Sequence, residues 1–180
     1  MKRFILTLAF FAIGFGAFAQ VNIPTKKEGF TAWEIQVDDY DFLLNQTRSK
    51  AKVGGLQRKD ELDAYCYERC IRLMMVLLKN PEAYVMDPNI SGVECHKDFT
   101  KIENFHQSMK YKIVNPGLEL DQSYNNSEGH FKARTNSKFK YYGTCSIVVS
   151  FKAINPDYNP NAISQKYIQR QLLISYEAFE

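Results

Sequence analysis

The side chains best suited to chemistry lie near the middle of the chain. Cys95 and His96 are adjacent, and Glu103 and His106 follow them. Phe99, Ile102, Phe105 and His106 recur at helical steps, which predicts a helix over 97–107. On that helix Glu103 and His106 would share a face, so Cys95 or His96 could complete a metal site with them. No H-E-x-x-H or paired C-x-x-C pattern is present. His96, Glu103 and His106 are therefore weak metal candidates, and we predict no metal and no cofactor.

The N-terminus has the form of an export signal. Lys2 and Arg3 precede an apolar run over 4–16, and Ala17-Phe18-Ala19 supplies small residues for cleavage before Gln20. The apolar run is shorter than the roughly 20 residues that a spanning helix needs. We therefore predict that residues 1–19 are a cleaved signal peptide and that the protein is exported, to the periplasm or the extracellular space. No integral membrane segment is expected after cleavage.

The four cysteines are disulfide candidates in an exported protein. They are Cys66, Cys70, Cys95 and Cys145. A bond between Cys66 and Cys70, one helical turn apart, fits disulfide geometry poorly. The sequence thus favours at least one bridge from a helix cysteine to Cys95 or Cys145, in an order that it leaves open. The alternative is that some are reduced, buried thiols.

Catalysis by a cysteine nucleophile is a further option for this stretch. Cys95 would be the nucleophile, with His106 or His130 as its base. An even number of exported cysteines favours pairing over a free nucleophile. The chain has no P-loop, dinucleotide-binding fingerprint or G-x-S-x-G elbow. We assign no catalytic residue, and the sequence favours a non-enzymatic protein.

The charge balance argues against nucleic-acid binding. The chain has 23 Lys and Arg against 20 Asp and Glu, a net charge of +3. Cleavage removes Lys2 and Arg3, which leaves 21 basic against 20 acidic residues and a net charge of +1. The remaining lysines are spread along the chain, whereas nucleic-acid binding needs a clustered cationic surface. We therefore predict no nucleic-acid partner.

The clearest predicted helix covers residues 58–80. An apolar stripe recurs there at three- and four-residue steps, formed by Leu62, Cys66, Cys70, Leu73 and Leu77. Pro81 ends the helix because proline has no N–H to donate. The stripe carries two thiols and predicts packing against a sheet.

Alternating patterns in the second half predict strands. The strongest cover 139–152, with Cys145 on the buried face, and 168–179, which would pair back antiparallel. The other predicted elements are strands at 31–37, 109–113, 118–120 and 131–135, a helix at 40–52 and an exposed polar loop at 121–129.

These elements predict an α+β fold, with helices of the N-terminal half packed on one face of a C-terminal antiparallel sheet as a two-layer sandwich. Residues 20–29 are predicted to be a flexible lead-in and residues 30–180 a single domain. About 160 residues suffice for a real core.

The function predicted from the sequence is an exported non-enzymatic module that binds a protein, a glycan or a small ligand. Tyrosines of the sheet half could line such a surface, although tyrosine is also a common strand residue. These are Tyr124, Tyr141, Tyr142, Tyr158, Tyr167 and Tyr176. The alternative is a small hydrolase or metal-dependent enzyme centred on Cys95, His96, Glu103 and His106. That alternative requires these side chains to converge in a cleft.

Overall fold

The computed structural model describes residues 20–25, 28–37, 39–79, 100–155 and 157–180. Within them, the strands are β1 (Gln20–Ile23), β2 (Phe30–Ile35), β3 (Gln57–Arg58), β4 (Ile102–Lys110), β5 (Tyr141–Ile154) and β6 (Tyr167–Phe179). The helices are α1 (Tyr40–Lys50), α2 (Asp60–Lys79), α3 (Pro116–Asn126) and α4 (Glu128–Arg134).

Strand β5 is central to one sheet, in which the strand order is β1-β2-β5-β6-β4. It forms an antiparallel hairpin with β6, in register from Tyr142 opposite Phe179 to Ile154 opposite Tyr167. On its other side it pairs antiparallel with β2 and, over two residues, parallel with β3. The two long predicted strands and their antiparallel pairing are confirmed.

Helix α2 covers one face of this sheet. Leu62, Cys66, Cys70 and Leu73 are each at most 1 % exposed. They share a hydrophobic cluster with β5 and β6, and Cys145 belongs to the same cluster. The predicted helix and the packing of its cysteine-bearing side on the sheet are confirmed. Each buried aliphatic side chain contributes about 1.5–3 kcal/mol, so this contact is a main source of stability.

The N-terminal turn of α2 lies directly against β5 at Gly143. A Cβ atom on Gly143 would be 2.3 Å from the carbonyl carbon of Leu62 and 2.4 Å from the backbone nitrogen of Asp63. The Sγ of Cys66 donates to the Gly143 carbonyl oxygen at 3.4 Å. Only a residue without a side chain permits this approach.

Helices α1, α3 and α4 cover the opposite face. Leu44 of α1 and Leu120 of α3 are fully buried and pack with Val148 and Leu173. Successive strand residues point to opposite faces, so β5 and β6 supply apolar side chains to both layers. The α+β class is confirmed, and this second helical layer extends the predicted two layers to three.

Arg134, at the end of α4, anchors this second layer in the core. Its Nη1 donates to Asp121 Oδ1 at 2.8 Å and to Asn125 Oδ1 at 2.7 Å. Its Nε lies 3.1 Å from Glu177 Oε1 on β6, and both side chains are 0 % exposed. Glu177 Oε2 also accepts a hydrogen bond from Asn104 at 2.7 Å. A buried ion pair thus joins α3, α4 and the sheet.

The strands predicted at 118–120 and 131–135 and the loop predicted at 121–129 are wrong, because this region forms α3 and α4. Pro116 occupies the first turn of α3, and the Asn115 side chain accepts a hydrogen bond from the Leu118 N–H at 3.2 Å. Asparagine before proline is a helix-start signal as well as a turn signal. Leu120 is fully buried in the cluster with Val148 and Leu173, and this burial favours the helix over the predicted strand.

The helix predicted over 97–107 is wrong where the structure describes it. Residues 102–110 form β4, an edge strand paired with β6 from Ile102 opposite Phe179 to Lys110 opposite Gln171. Phe105 packs beside the cluster under α2, whereas His106 contacts α3. A strand covered on both faces does not alternate strictly in polarity, which is why its apolar spacing resembled that of a helix.

The start of the predicted lead-in also differs from expectation. Gln20–Ile23 forms β1 and pairs with β2 from Gln20 opposite Ile35 to Ile23 opposite Ala32. The predicted signal peptide lies outside the described residues. Of the described helices, none has the length and apolar character required to cross a bilayer.

Candidate ligand-binding cleft

A break in strand pairing along β5 opens the candidate site. Strand β2 pairs with β5 only as far as Ile35 opposite Ser146. Strand β3 pairs with β5 only from Arg58 opposite Tyr142. Residues 143–145 therefore have no strand neighbour on this side within the described part of the sheet. The break lies between the ends of two strands. Strand β2 runs antiparallel to β5 and ends at Ile35, whereas β3 runs parallel to β5 and ends at Arg58.

A cavity of about 280 Å³ occupies this break, and we call it the β2–β3 cleft. It is lined by Glu34, Ile35, Gln36, Val37, Asp41, Arg58, Thr144, Cys145 and Ser146. Cys145 belongs to the cluster under α2, whereas Asp41 comes from α1 on the other side of the sheet. The wall of the cleft thus includes residues from both sides of the sheet.

At the cleft, a charged side chain makes a hydrogen bond with the β5 backbone that a neighbouring strand would otherwise make. The N–H of Thr144 donates to Asp63 Oδ1 at 2.8 Å. The other oxygen of Asp63 accepts from Arg58 Nε at 2.8 Å, and Arg58 Nη1 lies 3.6 Å from Asp41 Oδ1. Arg58 is therefore held between two carboxylates, which already balance its charge.

Glu34 is the carboxylate of the cleft without an ion-pair partner among the described residues. Burial raises its pKa above the usual value, and the negative charge of Asp63 raises it further, while Arg58 and the Cys145 thiol act in the opposite direction. The Sγ of Cys145 lies 3.9 Å from Glu34 Oε1. A cation bound beside Glu34 would relieve this unfavourable environment.

The phenol of Tyr142 lies next to the cleft, and the residue is 1 % exposed. Burial raises its pKa, and the interaction with Asp41 raises it further. The hydroxyl therefore stays protonated near pH 7.

Glu103, a predicted metal candidate, points toward α2. It accepts hydrogen bonds from the Tyr65 hydroxyl at 2.5 Å and from Arg69 Nε at 2.8 Å. Its side chain is 6 % exposed. These contacts make Glu103 the partner of a buried arginine.

His106 lies on the other face of β4, because residues three apart on a strand point to opposite sides. Its Nδ1 is 2.7 Å from Ser123 Oγ and its Nε2 is 3.3 Å from Glu119 Oε1. Glu119 also accepts hydrogen bonds from Ser108 and Lys110. Glu103 and His106 therefore do not come together, and Cys95 and His96 lie outside the described residues.

The His106 cluster joins α3 to β4. Burial lowers the pKa of His106, against the effect of Glu119, so the imidazole is neutral near pH 7. Burial raises the pKa of Glu119, but its hydrogen bonds to Lys110 and Ser108 outweigh this and hold that pKa below the usual value. His130, the other predicted base, packs edge-on against Tyr124, and burial lowers its pKa. No group of three or more His, Cys, Asp or Glu that could hold a metal occurs in the described part of the chain.

The predicted disulfide is not formed among the described cysteines. Cys66, Cys70 and Cys145 are free and buried, and Cys95 lies outside the described residues. Cys66 Sγ and Cys70 Sγ contact the carbonyl oxygens of Gly143 and Cys145. The packing of α2 on the sheet accommodates these side chains as small buried thiols.

We expect Cys66 and Cys70 to resist alkylation by iodoacetamide in the native protein. Burial raises the pKa of both thiols, so the reactive thiolate is scarce. Unfolding in denaturant without a reductant should make both react, as read by peptide mass spectrometry. If either reacted only after a reductant was added, that cysteine would be in a disulfide.

Sequence reasoning did not select the residues of the cleft. Glu34 lies in the strand predicted at 31–37 with no motif around it, and Cys145 is predicted to be a buried residue and a disulfide candidate. Asp41 and Arg58 carried no motif. The one usable signal is the run of acidic residues Asp38, Asp39 and Asp41 at the start of the predicted helix over 40–52.

The predicted tyrosine surface divides into two groups. Tyr124, Tyr142 and Tyr176 are at most 1 % exposed and belong to the core, whereas Tyr141, Tyr158 and Tyr167 are 40 %, 37 % and 53 % exposed. Tyr158 and Tyr167 lie at the β5–β6 hairpin, and Tyr141 lies at the other end of β5.

No protein-family model matches the chain, and no curated protein matches it in sequence. A solved structure of an outer surface protein from Borrelia burgdorferi is similar, with 13 % identity over 81 % of this chain and 96 % of that chain, and a TM-score of 0.41. A likeness at this level supports no argument about family or function.

Proposed function

We propose that this protein is an exported, non-enzymatic module that binds a small polar ligand in the β2–β3 cleft. Export, to the periplasm or the extracellular space, is supported by the leader pattern of residues 1–19. The observation that carries the binding proposal is the break in the pairing of β5, which opens a cavity of about 280 Å³ lined mainly by polar and charged residues.

The size and chemistry of the cleft favour a ligand of monosaccharide or amino-acid size over a drug-sized one, since pockets for the latter span roughly 300–1,000 Å³. Gln36 supplies an amide, whereas the hydroxyls of Thr144 and Ser146 already donate to the Tyr176 carbonyl and to Ser175 Oγ. Glu34 and Asp41 outnumber Arg58, which Asp63 already pairs. The surplus of carboxylates favours a ligand with a protonated amine over an anionic one.

The enzymatic alternative loses support from the placement of its residues. It requires Glu103 and His106 to share a site, but Glu103 pairs with Arg69 on one face of β4 and His106 with Ser123 on the other. Among the residues that the structure describes, the side chains of the cleft include no histidine. These facts support a binding role over acid–base catalysis in the cleft.

We expect a small amine to bind this cleft and Glu34→Gln to weaken that binding about tenfold or more, since a hydrogen bond to a charged group is worth about 1.5–3 kcal/mol. The probes are amines, amino acids, monosaccharides and dicarboxylates. Amide chemical-shift mapping should show changes at residues 143–146, and calorimetry should give the affinities.

Glu128→Gln is the matched control, because the Glu128 side chain is 82 % exposed and lies on α4 away from the cleft. It should bind amines as the unmodified protein does. Binding should also weaken as the pH falls, since protonation of Glu34 removes the charge that attracts the amine. If no probe shifted residues 143–146, or if Glu34→Gln bound as well as Glu128→Gln, the proposal would be overturned.

A further inference from the structure

The β5–β6 hairpin extends past its neighbours in the sheet. Among the described strands, β2 pairs with β5 only as far as Phe151, and β4 pairs with β6 only as far as Gln171. Beyond these residues β5 and β6 pair only with each other, up to Ile154 opposite Tyr167. We call the residues 152–155 and 157–170 the hairpin tip.

Apolar side chains are concentrated on this tip. Ile163 is 111 % exposed, Ile154 56 % and Tyr167 53 %. Tyr158 is exposed as well. Single exposed apolar residues need no explanation, but four on one projecting hairpin form a patch of the kind that marks an interaction site.

The tip is also positively charged. Lys152, Lys166 and Arg170 outnumber Asp157, the acidic residue of this segment. The Lys166 ammonium lies 5.6 Å from the centre of the Tyr167 ring. The cations are thus next to the apolar patch. This arrangement favours a partner with an apolar interior that takes up the apolar side chains and a negatively charged surface that pairs with the cations.

The order of these side chains along the hairpin matches a bilayer interface. Ile163 lies in the connecting loop, and Tyr167 forms the last strand pair. Lys152 and Arg170 follow two and three pairs behind, which is about 7–10 Å at roughly 3.3 Å per residue. Aliphatic residues in the hydrocarbon, tyrosines at the boundary and lysines at the headgroups are the arrangement found at membrane surfaces.

We propose that the hairpin tip docks this protein on a bilayer containing anionic lipids, with Ile163 inserted below the headgroups and Lys152 and Lys166 contacting lipid phosphates. A projecting convex tip suits a soft lipid surface, whereas a protein partner would need a matching concavity. One inserted aliphatic side chain and a few cations give reversible, peripheral binding. This inference does not depend on the β2–β3 cleft.

The test is cosedimentation of residues 20–180 with phosphatidylcholine vesicles, with and without roughly 30 % phosphatidylglycerol. We expect binding to the anionic vesicles, much weaker binding to phosphatidylcholine alone, and loss of binding at about 0.5 M NaCl because salt screens the lysine contacts. Ile163→Asp should reduce the partition coefficient at least about tenfold, because it replaces an inserted apolar side chain by a charge. Lys166→Glu should act in the same direction.

Phe42→Ser is the matched control, because Phe42 is 66 % exposed on α1, away from the hairpin. It should bind vesicles as the unmodified protein does. In a second measurement, an Ile163→Trp variant should show a blue-shifted emission with anionic vesicles, whereas Phe42→Trp should not. Both positions are exposed, so the variants should remain folded, which circular dichroism would check.

Three outcomes would overturn the proposal. The first is no binding to either type of vesicle, the second is equal binding by Ile163→Asp and Phe42→Ser, and the third is an unshifted Ile163→Trp emission. Saturable binding of an acidic protein through the same tip, together with no binding to vesicles, would assign the surface to a protein partner instead.

Discussion

Gly143→Ala should lower the free energy of unfolding by about 3 kcal/mol or more, at the upper end of the range for overpacked cores. The added Cβ would lie 2.3 Å from a backbone carbon of Leu62, and backbone cannot rotate away as a flexible side chain can. Helix α2 would have to shift off β5, which would loosen Leu62, Cys66 and the contacts below them. Urea denaturation followed by circular dichroism would measure the change.

Gly129→Ala is the matched control for this substitution. Gly129 lies in α4, and a Cβ there would meet no atom within 4 Å. Because alanine is favoured over glycine in a helix by about 0.5–1 kcal/mol, this variant should be as stable as the unmodified protein or slightly more so. Equal stability of the Gly143→Ala and Gly129→Ala variants would contradict the close approach of α2 to β5.

Arg134→Met should lower the free energy of unfolding by about 3–5 kcal/mol, the range for removing one partner of a buried ion pair. The loss would leave Glu177 buried without its counter-charge and would also remove the contacts of Arg134 with the rings of Tyr40 and Tyr124. Burial raises the pKa of the Glu177 carboxyl, and Arg134 at 3.1 Å opposes this by stabilising the charged form. The pKa should therefore be higher in the variant than in the unmodified protein.

The effect of Arg134→Met should depend on pH, with a defined sign. A carboxyl whose pKa is higher in the folded state than in the unfolded state favours folding at low pH, and that contribution is lost as the pH rises through the folded-state pKa. The variant should therefore lose more stability at about pH 8 than at about pH 5. Denaturation curves at several pH values would show this.

Two further variants separate charge from packing at this position. Adding Glu177→Gln to Arg134→Met should recover part of the stability, because it removes the stranded charge. Lys132→Met on the same helix should have little effect, since the Lys132 side chain is 73 % exposed and pairs only at the surface. If Lys132→Met lowered the free energy of unfolding as much as Arg134→Met does, the effect would come from a general weakening of α4 and not from the buried ion pair.

The elements with strong, long periodicity were predictable from the sequence. Helix α2 has an uninterrupted stripe from Leu62 to Leu73, and β5 and β6 are long, largely apolar segments of 14 and 13 residues. The packing of α2 on the sheet was also predictable, because the apolar stripe of α2 and the apolar face of β5 both had to be buried and both carry cysteines. Local pattern and tertiary structure agree in these elements.

The shorter elements were not predictable, because their local signals were ambiguous. Asn115-Pro116 fits a turn and a helix start equally well, and only the burial of Leu120 and Tyr124 distinguishes them. In β4, Phe105 and His106 face two different helical layers, so neither a helical nor an alternating pattern describes them. Tertiary contacts override local preference in such segments.

The β2–β3 cleft was beyond sequence reasoning for a different reason. Its walls come from Glu34, Asp41, Arg58 and Cys145, which are brought together only by the pairing of β5 with two separate strands. No spacing along the chain encodes that meeting. Glu103 and His106 are the opposite case. They are close in sequence, which suggested a shared site, but they lie on opposite faces of β4.

The late position of β5 in the chain affects how the protein matures. A ribosome releases β2, β3 and α2 more than sixty residues before Tyr141–Ile154, so for that period the apolar side of α2 has no sheet to pack on. Such long-range pairing slows folding and exposes intermediates to aggregation. A nascent copy of this chain should therefore need a holding chaperone, and truncation before residue 141 should leave fragments that precipitate or are degraded.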